Sequence, residues 1–351
     1  MPDASRRRVG LLRDPRFQDH DTTANHPEHP QRLVAIESLL RDAGLIEACL
    51  PLKSRPATDA EILRAHDPAL LAMLERSDRF AQEKHVFIDP DTVISAHSLD
   101  AARYAAGGVI DAARSVAAGE LGGAFCLPRP PGHHATRSQA MGFCLINHIA
   151  IAAADLLESG TAKRVAIVDF DVHHGNGTQD IFYANPQVLY ISTHQSPHYP
   201  GTGAAADVGA GAAVGTTLNL PLPAGCGDRE YLRCFDEVIL PAVRRYEPSI
   251  ILVSAGFDAH WRDPLAGQDV SGAGYRAIAE RLDTVASDLG VGLLYMLEGG
   301  YDLEAIAWAA RHCLDVQLGL AAVEDVVGPA PPGQSVDIDS LLREVRQQHG
   351  L

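Results

Sequence analysis

Five short runs of aliphatic and β-branched residues recur along the chain, and amphipathic, alanine-rich stretches separate several of them. The apolar runs span residues 122–128, 165–172, 188–193, 249–256 and 292–297. Their length and continuous apolar character are typical of buried parallel strands. The amphipathic stretches span residues 147–159, 229–246, 273–289 and 302–318 and predict helices. This alternation predicts an α/β fold with a central, mostly parallel β-sheet and helices on both faces.

The spacing of these elements indicates one domain. No internal repeat, charge block or low-complexity linker interrupts residues 10–325, so we predict a single domain over residues 1–351. We expect residues 1–8 to be loosely held, as chain termini often are. Residues 327–351 contain a proline- and glycine-rich segment and predict a loop followed by a short helix.

Composition narrows the classes of function. The 351 residues carry a formal net charge of -16, which opposes binding to a phosphate backbone, so we expect no direct nucleic-acid binding. A negative surface can instead attract cationic substrates such as lysine-rich peptides or polyamines. The sequence has no signal peptide and no run of about 18 apolar residues, which predicts a cytoplasmic protein that does not cross a membrane. The six cysteines form no CxxC pair and are expected to be buried free thiols.

Polar residues that carry chemistry follow the carboxyl ends of the predicted strands. Asp171, Asp258 and Tyr301 each lie at or just after one apolar run, and residues 130–134 follow another. Ligands bind at this edge in open α/β sheets. We therefore expect four segments that are distant in sequence to meet in one crevice.

Three of these residues form a candidate metal site. Asp171 and His173 are two positions apart on an extended segment, so their side chains point the same way and can share one metal ion. Asp258 follows a very hydrophobic run, where an unpaired carboxylate is costly to bury, and is the candidate third ligand. Each aspartate alone is more simply a loop cap. Two carboxylates and one imidazole leave a coordination position open, which is typical of catalytic zinc.

A two-metal site of the arginase type would need further carboxylates at two positions. The chain has Gly175 at one of them and His260 at the other, so one ligand is absent and the second is altered. This favours a single metal ion. We expect His260 to lie in the wall or rim of the site.

Neighbouring residues supply the remaining groups that amide hydrolysis needs. His133 and His134 are candidates for proton transfer, and Tyr301 follows two glycines that let it approach the metal and stabilise an oxyanion. Asp169 and Asn176 are suitable partners for the imidazoles, and only the carboxylate would raise the basicity of its partner. Alone, a histidine pair or a tyrosine is more often structural. Beside the metal candidates, these residues predict an amidohydrolase.

Several motifs resemble the histone deacetylase and acetylpolyamine amidohydrolase superfamily over residues 14–318. They are HPEHPQR at 26–32, RPPGHH at 129–134, GFCLIN at 142–147, DFDVHHGNGTQ at 169–179, YPGTG at 199–203, SAGFDAH at 254–260 and EGGY at 298–301. The resemblance implies an arginase-like α/β fold and zinc-dependent removal of an acetyl or other small acyl group. By this resemblance, zinc is bound by Asp171, His173 and Asp258. The acid–base pair is His133 and His134, and the electrophilic tyrosine is Tyr301.

The resemblance also implies roles around the metal. It assigns substrate contacts to Gly142, Phe143, Tyr199, Leu265 and Gly300. Arg32 corresponds to an arginine that gates the cavity through which acetate leaves. Asn176 matches the class II pattern of the family, in which the partner of the second histidine is an amide rather than an aspartate. The resemblance further implies a structural potassium ion near Asp169, Asp171, His173 and Ser192.

The substrate amine is less sharply indicated. Polyamine-selective members of the superfamily carry a glutamate where this chain has Leu265, so the neutral residue favours acylated lysine in peptides or proteins. Acetylated polyamines or other small amides are the alternative, and a non-catalytic acyl-lysine binder is a third hypothesis that the intact Tyr301 disfavours. Residues 84–98 are predicted to form a loop at the rim of the site. In this loop, Asp89 or Asp91 could contact the substrate, or the two aspartates could simply form a turn. The choice between zinc and iron, and whether the chain forms a homo-oligomer, stay open.

Overall fold

The computed structural model describes residues 8–332 and 335–351. Residues 1–7, most of the segment expected to be loosely held, lie outside the described residues. The strands are β1 (Val9–Leu12), β2 (Leu50–Leu52), β3 (Val86–Phe87), β4 (Val93–Ile94), β5 (Gly123–Cys126), β6 (Val165–Asp169), β7 (Val188–Gln195), β8 (Thr217–Leu222), β9 (Ile250–Ala255) and β10 (Gly292–Leu297). The helices are α1 (Gln31–Asp42), α2 (Leu45–Ala48), α3 (Asp59–Ile62), α4 (Pro68–Ala81), α5 (Ser98–Ala117), α6 (His148–Glu158), α7 (Asn176–Phe182), α8 (Asp228–Cys234), α9 (Leu240–Tyr246), α10 (Gly272–Leu289), α11 (Leu303–Gln317) and α12 (Asp339–His349).

Eight strands form one parallel sheet in the order β2-β1-β5-β10-β9-β6-β7-β8, and helices surround it. This confirms the predicted α/β fold. The five predicted strands are β5, β6, β7, β9 and β10, and all of β6 and β9 is buried, as their continuous apolar runs indicate. The predicted helix at 229–246 consists of α8 and α9 joined by a π-helical turn. Among the described residues, no helix combines the length and apolar character that a membrane crossing requires.

The sheet register brings the ends of four strands to one level. Asp169 at the end of β6 lies opposite Ser254 of β9 on one side and Ser192 of β7 on the other. Met296 of β10 lies opposite both Ser254 and Cys126 of β5. The loops after β5, β6, β9 and β10 therefore leave the sheet side by side, which places the predicted functional segments at a single edge.

A buried ion-pair network holds the loops at this edge. Glu28 accepts hydrogen bonds from the guanidinium groups of Arg129, at 2.5 and 2.8 Å, and of Arg32, at 2.9 Å. All three side chains are at most 1% exposed. Burial opposes a charge on Glu28, but the two arginines outweigh it and hold the pKa of the carboxyl well below its usual range. Arg32 also donates to the backbone carbonyls of Glu298 and Gly300, so the network reaches the loop after β10.

The packing of α5 against the chain before α3 predicts a large effect of one methyl group. A Cβ added at Gly107 would lie 2.0 Å from the carbonyl oxygen of Arg55 and 2.8 Å from the nitrogen of Ala57. Alanine favours a helix by about 1 kcal/mol over glycine, but this backbone overlap must be relieved by separating the two segments. We expect Gly107→Ala to lower the free energy of unfolding by about 1–3 kcal/mol.

Gly108→Ala is the matched control in the same helix. Its nearest atoms, at 2.8 and 2.9 Å, are the methyl carbons of Leu12, which can move. Denaturant unfolding should therefore separate the two variants. Equal free energies of unfolding would contradict the close backbone contact at Gly107.

Candidate active site

A cavity of about 240 Å³ opens at the carboxyl edge of the sheet. Residues from seven separate segments line it: the loops after β5, β6, β7, β9 and β10, the segment before α1, and the turn between β3 and β4. The lining residues are Pro27, Asp91, His134, Gly142, Phe143, His173, Tyr199, Leu265 and Tyr301. The predicted crevice is therefore present.

The three predicted metal ligands meet beside this cavity. One ligand atom from each of Asp171, His173 and Asp258 lies within 4.8 Å of the other two, and all three side chains are buried. The His173 Nδ1 atom is 3.1 Å from Asp171 Oδ1 and 3.1 Å from Asp258 Oδ2. Two carboxylates and an imidazole nitrogen aimed at the same point are a donor set that suits zinc. Within residues 8–332 and 335–351, no second group of this kind is present.

Backbone groups hold the two carboxylates in place. Gly299 N donates to Asp171 Oδ2 at 2.8 Å, and Val172 N donates to Asp258 Oδ1 at 2.9 Å. The backbone can approach the two carboxylates this closely only because residues 256 and 299 are glycines. A Cβ at Gly256 would lie 1.9 Å from Asp171 Oδ2, and one at Gly299 would lie 2.1 Å from Asp258 Oδ2.

Residues 175 and 260, the positions where a second metal ion would need ligands, do not face such an ion. A Cβ at Gly175 would lie 2.2 Å from Asp169 Oδ2 and 2.6 Å from the Tyr190 hydroxyl, so an aspartate does not fit there. His260 packs beside Trp261 and its Nδ1 atom accepts from the backbone of the chain at residue 262. It is not among the residues that line the cavity, contrary to our expectation of a wall or rim position.

The two adjacent histidines have different partners. His133 Nδ1 lies 3.1 Å from Asp169 Oδ2, whereas His134 Nδ1 lies 2.8 Å from Asn176 Oδ1. Burial opposes a charge on His133, but the carboxylates of Asp171 and Asp169 outweigh it and raise its pKa to about 10. Burial, with the positive charge of His133, lowers the pKa of His134 well below its usual value. The surroundings therefore shift the pKa values of the two imidazoles in opposite directions.

Glu298 organises the histidine loop, a role that the sequence did not predict. Its fully buried carboxylate accepts from the backbone nitrogens of Gly132, at 2.7 Å, and His133, at 3.2 Å. Its other oxygen accepts from the Ser254 hydroxyl at 3.1 Å. Burial raises the pKa of Glu298 to about 7, although His133 opposes that shift. An acidic residue directly after an apolar strand was the available signal.

Tyr301 reaches the cavity from a glycine-containing loop whose backbone is hydrogen-bonded to neighbouring segments. Gly300 has φ +112°, which favours glycine, and its carbonyl accepts from Arg32 Nε at 2.6 Å. The Arg32 guanidinium carbon lies 5.0 Å from the centre of the Tyr301 ring. Tyr301 N donates to Asp263 Oδ2 at 2.7 Å. Gly300 is not among the lining residues, so it contributes through its backbone rather than as a cavity wall.

Two aromatic rings flank the cavity, at positions to which the family resemblance assigns substrate contacts. The Phe143 ring lies 5.9 Å from that of Tyr301, and the Tyr199 ring lies 5.1 Å from that of His134. The rim loop forms a hairpin of β3 and β4. Asp91 in this hairpin lines the cavity, whereas Asp89 accepts from the backbone nitrogens of Asp91 and of residue 92 and forms a turn.

The residues expected to bind potassium also lie together. Ser192 lies opposite Asp169 in the sheet register, and the loop that carries Asp171 and His173 begins one residue later. The Ser192 hydroxyl lies 2.9 Å from His194 Nδ1. A bound potassium ion stays a prediction.

Comparisons with known proteins show the family of this chain. Residues 26–317 match the histone deacetylase domain. The chain is 42% identical over 299 residues to histone deacetylase 15 of Arabidopsis thaliana, covering 84% of this chain and 53% of that protein. It is 39% identical over 299 residues to a probable deacetylase of Archaeoglobus fulgidus, covering 84% of this chain and 82% of that protein. The chain thus spans about half the length of the first relative and most of the second.

The fold agrees as well. The crystal structure of the HDA15 HD domain superposes with a TM-score of 0.88 and 37% sequence identity. The match covers 98% of this chain and 94% of that one.

The glycine contacts at the ligand set predict how a methyl group disturbs metal binding. An alanine at Gly256 must displace the Asp171 carboxylate, so we expect Gly256→Ala to weaken zinc binding by at least about tenfold. Gly267→Ala is the control, because its Cβ would meet nothing nearer than 3.6 Å. Zinc titration against a competing chelator measures both variants, with circular dichroism to verify folding. Unchanged affinity in a folded Gly256→Ala variant would contradict the proposed ligand geometry.

Proposed function

Because this chain belongs to the histone deacetylase family, we propose that it removes an acetyl or another small acyl group from lysine side chains with one zinc ion. The observation that carries the proposal is the convergence of a metal-ligand set, an unequal histidine pair and a tyrosine on one cavity. The family and the fold support a deacetylase, a hydrolase of amides. The metal, the residue roles and the amine are our proposal.

Asp171, His173 and Asp258 would hold the zinc ion. When bound, zinc supplies a Lewis acid that polarises the acyl carbonyl and lowers the pKa of water. Its charge would also offset the two buried carboxylates, which otherwise face each other across a single imidazole. A structural potassium ion near Asp169 and Ser192 belongs to the same proposal.

The histidine pair divides the proton chemistry. The amide oxygen of Asn176 can only accept a hydrogen bond, so the proton of His134 is on Nδ1 and its Nε2 atom is free to accept one. His134 then takes a proton from the attacking water and returns it to the leaving amine nitrogen. His133, paired with Asp169, stays positively charged and stabilises the negative charge that develops beside it.

Tyr301 is the proposed hydrogen-bond donor to the acyl oxygen. Burial, with the negative charge of Asp258, raises the pKa of its phenol well above the usual value, so the hydroxyl keeps its proton. It donates to the carbonyl oxygen as that oxygen becomes negative. Arg32 lies behind the Tyr301 ring, and we assign it to the path by which the acetate product leaves.

The cavity walls favour an aliphatic substrate chain. Phe143, Tyr199 and Leu265 provide the apolar surface that the methylene groups of lysine would bury. Asp91 at the rim can accept a hydrogen bond from the backbone of a peptide substrate. The same carboxylate could pair with a distant ammonium, so acetylated polyamines are the second candidate substrates.

Removal of the proposed donor or base should stop turnover without loss of metal. We expect Tyr301→Phe and His134→Ala each to lower kcat by at least about a hundredfold, with zinc content unchanged. Tyr246→Phe is the control, because that hydroxyl bonds only to the Pro186 carbonyl near the surface. Single-turnover assays with an acetyl-lysine peptide and metal analysis test this. Near-normal rates in either variant would refute the assigned roles.

The substrate assignment has a separate test. The test is a comparison of kcat/KM for acetyl-lysine peptides, longer acyl-lysine peptides and acetylated polyamines on zinc-loaded protein. Because Leu265 is neutral, we expect the acyl-lysine peptides to be the best substrates. A higher kcat/KM for free acetylated polyamines would overturn the lysine assignment and favour the second candidate.

A further inference from the structure

Asp263 connects the tyrosine loop to the substrate-facing wall of the cavity. One carboxylate oxygen, Oδ2, accepts from Tyr301 N at 2.7 Å, and the other, Oδ1, accepts from Leu265 N at 2.9 Å. The side chain is 7% exposed. Two loops that follow different strands, β9 and β10, are thus joined through one buried carboxylate. Tyr301 and Leu265 both line the cavity.

Leu265 is also held through its carbonyl group. His198 Nε2 donates to that carbonyl at 2.9 Å, since a carbonyl oxygen can only accept. The His198 ring stacks on His173, with the ring centres 5.0 Å apart and the planes at 28°. Both backbone polar groups of Leu265 are therefore fixed, one towards the tyrosine loop and one towards a proposed metal ligand.

The backbone around Tyr301 needs such a contact. Two glycines precede the tyrosine, and Gly300 adopts φ +112°, so the local chain does not by itself fix the direction of the ring. Hydrogen bonds from backbone N–H groups to a carboxylate are stronger than those to a neutral acceptor. An error of about 1 Å in the placement of a reacting group can cost about a hundredfold in rate.

We propose that Asp263 is a positioning residue that aligns the Tyr301 hydroxyl with the acyl group and couples it to the Leu265 wall. The inference rests on the proposed deacylase function. A substrate that displaces Leu265 would move Tyr301 through the shared carboxylate. Asp263 would thereby link the fit of the substrate to the rate of the chemical step, without itself touching the reacting atoms.

A double-mutant cycle tests whether Asp263 acts through the tyrosine. Asp263→Asn has nearly the same shape but keeps only one of the two accepting oxygens, so at least one of the loops loses its bond. We expect it to lower kcat on an acetyl-lysine peptide by about tenfold to a hundredfold. In a Tyr301→Phe background, where no hydroxyl remains to be aligned, we expect the same substitution to change kcat by less than about threefold. Equal losses in both backgrounds would overturn the proposal.

Three further measurements make the test specific. His198→Phe keeps a ring against His173 but removes the donor to Leu265. Because a displaced Leu265 acts on Tyr301 through Asp263, we expect its loss of kcat to be smaller in the Tyr301→Phe background, and equal losses would contradict the coupling to the Leu265 wall. Asp263→Glu, which retains both acceptors, should recover part of the rate. Inactivity of the wild-type enzyme on every acyl amide would refute the proposed function instead, and is recorded separately in the same assay.

The wild-type protein offers a test that does not depend on folding of a variant. With selective ¹⁵N labelling, the amide protons of Tyr301 and Leu265 should exchange slowly with solvent, since both donate to a buried carboxylate. Exchange of either amide at the rate of an open loop would contradict the connection between the two loops.

Discussion

The architecture of the site depends on two carboxylates that are buried side by side. Asp171 and Asp258 are both 0% exposed, and both lie 3.1 Å from a single imidazole nitrogen. Like charges in such a place are unstable unless donors or a cation compensate for them. Backbone N–H groups supply part of the compensation, and the proposed zinc ion would complete it. The glycines at 256 and 299 follow from this constraint, since only a chain without side chains can come close enough.

Buried charge also organises the surrounding loops. Glu28 neutralises much of the charge of Arg32 and Arg129, and Arg32 in turn donates to carbonyls of the loop that carries Tyr301. Glu298 receives the backbone of the histidine loop, and Asp263 receives that of the tyrosine loop. The histidine loop and the tyrosine loop are thus each attached to the core through a buried acidic side chain that accepts from several donors. Removing one partner of such a buried contact costs much more folding free energy than removing one partner of a surface ion pair.

The sequence predicted the parts of the molecule that carry a repeated or chemically distinctive pattern. Apolar runs located the central strands, and strand-end aspartates and histidines located the site. The strands β1, β2 and β8 and the helices before residue 118 were not predicted. For β1 and β2 the reason is their length, which is only 4 and 3 residues. In α5, most buried positions hold glycine or alanine and Gly107 packs directly on backbone, so bulky apolar residues mark only part of the buried face.

Glu298 and Asp263 were missed for a different physical reason. Each accepts from a backbone N–H group of a loop distant in sequence, Glu298 from Gly132 and Asp263 from Tyr301, and a backbone donor leaves no mark in the sequence. Asp89 and Asp91 were indistinguishable in the sequence, since the geometry of the hairpin alone decides which of them faces the cavity.

The central claim is that Asp171, His173 and Asp258 bind one zinc ion, and X-ray absorption at the zinc edge of metal-loaded protein tests it most directly. We expect one zinc per chain, with one imidazole nitrogen and otherwise oxygen ligands at about 2.0–2.2 Å. Sulfur in the coordination shell, or a second metal within about 4 Å, would contradict the account.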